Sequence, residues 1–334
     1  MKILVIRFSS LGDIILTTPV VESLRGSYPD SKIDFLTKKQ FSDLVLYNPN
    51  ISRVINFDSS KNSVFDVAGL IKSFNYDLIV DLHNNLRSFI IRMINFGTKN
   101  VVYQKQHLKR KLLTKEVFRS KIKPIKSTIN LYDTALKKLQ KKLLAVKPKI
   151  YLPQNENYIY RKFDFKKADY NIVIAPGAAH YTKQYPVNYY KKLVKLINND
   201  FNVTFILVGD KKDRTLSSKI KEHSQAQIHD LCGSTSILQL AVIIKQADLF
   251  ISGDSGPMHM AAALNRPQIA IFGSTHPILG FSPVNDKAKI VQTDLSCRPC
   301  SIHGLEKCPQ KHLNCMNMIK PKEIFNIVKN ILKK

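Results

Sequence analysis

No stretch of the chain reaches the roughly 18 consecutive apolar residues that a membrane-spanning helix needs, which argues against a transmembrane protein. Acidic residues are scarce, 25 against 52 Lys and Arg, for a net charge of +27. Much of that excess is lysine scattered along the sequence. It suits an anionic substrate, a nucleic acid or an anionic membrane surface without choosing among them. Cysteine occurs five times, four of them late in the chain, which is not the framework of a disulfide-stapled secreted domain. No G-x-G-x-x-G follows an expected strand and no G-x-x-x-x-G-K-[ST] occurs, which argues against a nicotinamide enzyme and a P-loop ATPase. The opening Met1–Phe8 is too short and too soon interrupted for a signal peptide. The expected location is the cytoplasm, with contact at a membrane surface left open.

What is present is ample: 334 residues, 44% apolar and 23% charged, enough for two domains with full cores. The most informative stretch is Gly253-Asp254-Ser255-Gly256-Pro257-Met258-His259. It follows the apolar run 248–252, read as a buried strand, and opens an Ala-rich helix. Asp254 or Ser255 can cap that helix, and Pro257 suits its first turn. Free amides at such a helix start hold phosphate oxygens. Capping alone explains Ser255 and Pro257 but not Gly256 and His259 beside them, which favours an anion site.

The first half alternates strands and helices. Ile3–Ile6 reads as a buried parallel strand, followed by Ser9-Ser10-Leu11-Gly12-Asp13 and an expected helix over 14–25 that Pro19 should kink. Asp13 then sits beyond a strand end at a helix N-terminus, where open parallel sheets bind ligands. The dipole there favours an ionised carboxylate, suited to a general base. This stretch alone leaves cap and base equally open. Further strands are expected at 32–36, 53–57 and 77–82, with helices at 64–74 and 86–96. Asp81 and His83 end the last of these strands, with Arg87 just beyond; the default readings are a satisfied loop histidine and a surface arginine. Residues 104–149 carry 15 Lys or Arg against Glu116 and Asp133, and 129–144 reads as an amphipathic helix. That stretch suits a polyanionic acceptor or anionic lipid slightly better than plain solvation. Its aromatics are too few for a base-stacking platform.

Residues 153–169 read as a linker, dividing the chain into domains 1–160 and 161–334. A second series follows: strands at 171–176, 204–209, 248–252 and 268–272, with helices at 187–197 and, behind the capping-box pair Ser236 and Gln239, up to Ala247. The expected fold is α/β, two Rossmann-like domains facing across a cleft. Lys183, in the loop Gly177–Pro186, is either a cation for a diphosphate or a solvated loop lysine. Cys297, Cys300, Cys308 and Cys315 form C-x2-C-x7-C-x6-C with His303 and His312 among them. Only the first pair has zinc spacing, and free thiols or a reversible disulfide fit at least as well. Nothing in the spacing places these cysteines at a reaction centre.

These motifs, in this order, resemble glycosyltransferase family 9, the ADP-heptose:lipopolysaccharide heptosyltransferases. Ser9-Ser10-Leu11-Gly12-Asp13 with Thr17 and Pro19, Pro176-Gly177-Ala178 with Lys183, 253–259, and Phe272-Gly-Ser-Thr-His-Pro277 are similar to the family's signatures. The resemblance implies a GT-B fold with the acceptor in the first domain and the nucleotide sugar in the second. It implies an inverting, metal-independent transfer with no cofactor, in which Asp13 takes the acceptor proton. Expected donor contacts are Gly177, Ala178, Lys183, Asp254, Ser255, Gly256, Pro257 and His259. Expected acceptor contacts are Ser10, Gly12, Asp81 and Arg87. The expected partners are a nucleotide sugar, an anionic lipid-linked oligosaccharide and the inner-membrane surface, with no nucleic acid, for a peripheral, monomeric protein. With no Trp in the chain, Tyr185 stands where the family often has another aromatic. The alternatives are a relative moving a different sugar, a GT-B nucleotide-sugar epimerase, and a non-catalytic nucleic-acid binder, which predicts steep salt dependence instead.

Overall fold

The computed structural model describes residues 1–153 and 168–333, so most of the expected linker lies outside the described residues. The chain divides into two compact units, Met1–Gln106 with Ser127–Pro153, and His107–Lys126 with Gln154–Lys334.

The first unit is built on a parallel sheet in the order β3-β2-β1-β4-β5, with β1 Lys2–Ile6, β2 Lys32–Lys38, β3 Arg53–Phe57, β4 Leu78–Asp81 and β5 Lys99–Val102. β1 is buried from Ile3 onward, as a strand covered on both faces must be. Helices α1 (Leu11–Ile15), α2 (Thr18–Ser27), α3 (Val64–Ser73) and α4 (Leu86–Ile94) connect the strands. The single kinked helix expected over 14–25 is instead two, broken before Thr18. Pro19 has no N–H for the Ile15 carbonyl, and the Thr18 hydroxyl donates to that oxygen in its place, at 2.8 Å.

The second unit opens with α5 (His107–Leu113) and α6 (Glu116–Arg119). They depart from the expected 1–160 domain because their partners lie late in the chain. Arg110 Nε donates to the Leu279 carbonyl, Arg119 Nη1 to that of Ser296, and the Ile125 amide to that of Ile278. The chain then returns to the first unit as α7 (Thr128–Lys138). That helix stops short of the expected Leu144 because Gln140 turns to φ 57°, a left-handed conformation.

The second sheet is parallel in the order β11-β10-β9-β6-β7-β8. Its strands are β6 Tyr170–Ala175, β7 Val203–Leu207, β8 Gln227–Asp230, β9 Leu249–Gly253, β10 Gln268–Phe272 and β11 Ala288–Gln292. Around it lie α8 (Val187–Asp200), α9 (Arg214–Lys221), α10 (Ile237–Gln246), α11 (Gly256–Ala263), α12 (Asn314–Asn317) and α13 (Pro321–Leu332). The capping box before α10 is formed: Gln239 N donates to Ser236 Oγ and Ser236 N to Gln239 Oε1. Both units are Rossmann-like α/β folds, the GT-B class. In each, the strand order reverses beside the first strand, between β1 and β4 and between β6 and β9. Ligands of open parallel sheets bind at the carboxyl ends there.

Candidate functional site

At the first switch point β1 ends in Ile6, paired with Asp81 of β4. Asp13 lies in the first turn of α1. Its Oδ2 accepts from Ser10 Oγ at 2.7 Å and Ser10 N at 3.2 Å, and pairs with Arg7 Nη2 at 2.8 Å. The Tyr132 hydroxyl lies 3.3 Å from Oδ1, and the side chain keeps 27% exposure. One oxygen is thus held by the turn and by Arg7, while the carboxylate still meets solvent. Arg7 is itself anchored on the Leu82 carbonyl at 2.7 Å. Burial works against its charge, but Tyr132 and Asp13 outweigh that and hold the guanidinium above its ordinary range.

His83 and Lys105 border this cluster. Burial, reinforced by Arg7 and Lys105, pushes the His83 imidazole down to about 3. Contrary to a satisfied loop histidine, its Nδ1 is buried without a hydrogen-bond partner among the described residues. Lys105 is lowered by burial and by Arg7, and Nζ donates to the Asn84 carbonyl at 2.9 Å. The unfolded chain protonates His83 near its ordinary 6.5, the folded chain only near 3. Its stabilising effect is therefore present above pH 6.5 and lost as pH falls toward 3. We expect His83→Gln to reduce the acid-induced loss of stability between pH 6.5 and 4 by on the order of 2 kcal/mol, read from urea midpoints at each pH. Identical pH profiles would remove this histidine from the linkage.

Asp81 has a different task from the acceptor contact expected of it. It is fully buried; Oδ1 accepts from the His83 and Asn84 amides at 2.9 and 2.8 Å, and Oδ2 lies 3.0 Å from Arg92 Nε. It shapes the β4–α4 turn. Gly12 is buried in α1, Ser10 is that helix's N-cap, and Arg87 is exposed on the first turn of α4.

At the second switch point Lys183 Nζ pairs with Asp254 Oδ2 at 2.9 Å, both side chains nearly buried. The same oxygen accepts from Thr275 Oγ1 at 2.7 Å. Ser255 occupies the N-cap position of α11 without making a side-chain cap bond, and its Oγ is buried without a partner among the described residues. The expected cap is therefore unmade, and the first-turn amides keep their capacity for an anion. Pro257 is in that first turn and His259 is buried in the helix. Gly177 is required by a neighbour: a Cβ there would lie 2.0 Å from the Asp213 carboxylate. Ala178 follows, and its carbonyl accepts from Gln184 at 3.1 Å.

The cysteine-bearing tail, which nothing in its spacing tied to the site, packs directly on this cradle. Leu305 N donates to Thr182 Oγ1 and Thr182 N returns a bond to the Leu305 carbonyl. Cys300 N donates to the Ser274 carbonyl. Gly304, at φ +101°, lets the tail pass where a Cβ would stand 2.8 Å from Lys183 Cδ. All the cysteines are free thiols. Sequence reasoning missed the residue that ties these parts together, Arg298. Its guanidinium is buried and donates to the carbonyls of Phe272, Gly273, Thr275 and Thr293. No signature marks a lone Arg in a Cys-rich loop. Arg298→Met strands three buried acceptors and a half-buried one, each buried one worth about 1–3 kcal/mol when left unsatisfied. We expect a stability loss of more than about 3 kcal/mol with weakened diphosphate binding. An unchanged urea midpoint would show that the carbonyls find other donors.

Residues 65–309 match glycosyltransferase family 9 (heptosyltransferase). The chain is 27% identical to lipopolysaccharide heptosyltransferase 1 of Campylobacter coli over 353 residues, covering 99% of each chain. Two solved structures share its fold. ADP-heptose lps heptosyltransferase II of E. coli superposes with a TM-score of 0.78 at 22% identity, covering 100% of this chain and 99% of that one. The glycosyl transferase family 9 protein of Veillonella parvula DSM 2008 gives 0.81 at 20% identity, covering 99% and 97%. With a family match spanning most of the sequence, the chain belongs to glycosyltransferase family 9 and is a glycosyltransferase.

Proposed function

We propose that this glycosyltransferase moves a heptose from ADP-heptose to the core oligosaccharide of a lipopolysaccharide acceptor, with inversion and without a metal ion. The carrying observation is the Lys183–Asp254–Thr275 chain at the uncapped start of α11. It is a prearranged cation beside a helix start whose N-cap side chain makes no cap bond, suited to the charge that develops on a departing diphosphate. The names of its relatives supply the sugar and the acceptor class.

In this reading Asp13 accepts the proton of the acceptor hydroxyl as that oxygen attacks the anomeric carbon. The new glycosidic bond forms as the bond from that carbon to the diphosphate oxygen breaks. ADP leaves with its negative charge matched by Lys183, the amides near Ser255 and Gly256, and His259. One displacement inverts the anomeric centre. Ser10, Gly12, Arg87, Lys105 and His83 contact the acceptor, the two cations meeting its acidic groups. Gly177, Ala178 and Pro257 shape the donor pocket. The protein acts as a monomer at the cytoplasmic face of the inner membrane, where residues 107–126 supply basic charge.

The test is release of nucleoside diphosphate from a panel of nucleotide sugars with a deacylated core acceptor, with the product anomer assigned by NMR. ADP-heptose is expected to be preferred, with inversion, and EDTA to leave the rate unchanged. Preference for another sugar, retention, or activity that only added metal restores would each overturn the corresponding part.

A further inference from the structure

α4 is apolar on the wrong side. Its inward face, Ser88 and Ile91, packs into the first unit's core. A surface helix ordinarily turns polar residues outward. Instead Leu86, Phe89 and Met93 are 74%, 47% and 55% exposed, and Phe96, just past the helix, 81%. At spacings of three and four, Leu86, Phe89 and Met93 form one stripe of the helix, with Phe96 exposed beyond its end. No acidic residue lies between Leu86 and Phe96, whereas the exposed Arg87 and Lys99 lie in and beside the stretch. Among the described residues no helix is long and apolar enough to cross a membrane. We propose that the outer face of α4 inserts into the headgroup region of an anionic phospholipid bilayer, and that this presents a lipid-rooted acceptor to Asp13.

Two observations commit the stripe to lipid rather than to a second copy of the chain. Its charge is of one sign, basic, as on helices that lie in an anionic interface, and two such faces would repel one another. It is also continuous with the acceptor site. α4 starts from the turn that Asp81 shapes, and Asp81 pairs with the last residue of β1, the strand leading to Asp13. An acceptor with its acyl chains in the bilayer under α4 therefore has its sugar headgroup beside the base. This inference rests on the lipid-linked acceptor proposed above.

The absence of Trp provides the probe. Phe89→Trp installs a single tryptophan in the stripe. On vesicles of three parts phosphatidylglycerol to seven of phosphatidylethanolamine, its emission is expected to shift to the blue. Acyl-brominated phosphatidylglycerol is expected to quench it, still at 0.5 M salt, where surface attraction is screened. Phe89→Gln with Met93→Gln is expected to lower vesicle co-flotation at that salt about tenfold, with diphosphate release on the deacylated acceptor unchanged. Emission unmoved by vesicles, undiminished flotation of the double variant, or a lipid-free dimer that the double variant dissociates would overturn the proposal. Turnover of the deacylated acceptor in the same preparations separates the two readings. If turnover persists while the unsubstituted protein fails to float, docking alone is wrong; if no nucleotide sugar is turned over, the functional reading fails.

Discussion

Asp13→Asn is expected to lower kcat by about 10²–10⁴-fold, the usual contribution of a positioned base, with ADP affinity unchanged. The amide preserves shape but cannot accept the acceptor's proton. Ser10 and Arg7 make the experiment sharp, since both already hold Oδ2. Asn can still accept from Ser10 through its one oxygen, so α1 keeps its start, while Arg7 loses its counter-charge. Some loss of stability should follow, because Arg7 is nearly buried and a stranded charge costs more than a lost pair contributes. The two effects separate on measurement. Turnover by diphosphate release reads the base; the urea midpoint and ADP titration read the fold and the donor cradle. If turnover and ADP binding fall together, Asp13 serves the structure rather than the chemistry.

Lys183→Met is expected to weaken ADP binding by about 10- to 150-fold, the equivalent of one charged hydrogen bond of about 1.5–3 kcal/mol. The upper part of that range is favoured because Asp254, then without its lysine and accepting from Thr275, would lie beside the diphosphate and add repulsion. This makes the pair testable as a cycle. Asp254→Asn in the Lys183→Met background should recover part of the affinity, since it removes the repelling charge. Calorimetric titration with ADP gives both numbers, and affinity unaltered in Lys183→Met would take this lysine out of the site.

The central strands of both sheets were legible because they are continuous apolar runs flanked by helix starts, as at Ile3–Ile6 and Asp248–Ser252. Of the edge strands only β3, Arg53–Phe57, was legible. Lys99–Val102, Gln227–Asp230 and Ala288–Gln292 are short and half-exposed, so their sequences carry neither a full apolar run nor a clean alternation. The candidates Asp13, Lys183 and Asp254 stand out in the sequence because each lies after a strand end and no later than the first turn of the helix that follows it. Arg7, Tyr132 and Arg298 could not, since their contacts reach across the fold; Thr275 stood inside a quoted signature, but its bond to Asp254 did not show in the spacing. Tyr132 reaches Asp13 over 119 positions. Asp81 misled for a related reason: a carboxylate at a strand end reads alike whether it faces a ligand or folds back on its own turn.

The excursion of residues 107–126 into the second unit has a consequence for biosynthesis. α5 and α6 leave the ribosome long before the carbonyls that receive Arg110 and Arg119, which lie 169 and 177 residues further on. At about 5–20 residues per second the segment waits roughly 10–30 s, with Leu113 and Ile125, buried in the finished protein, still exposed to water. Its dense lysine charge then acts as a solubilising escort, discouraging neighbouring nascent chains from associating until the late residues arrive to cover it.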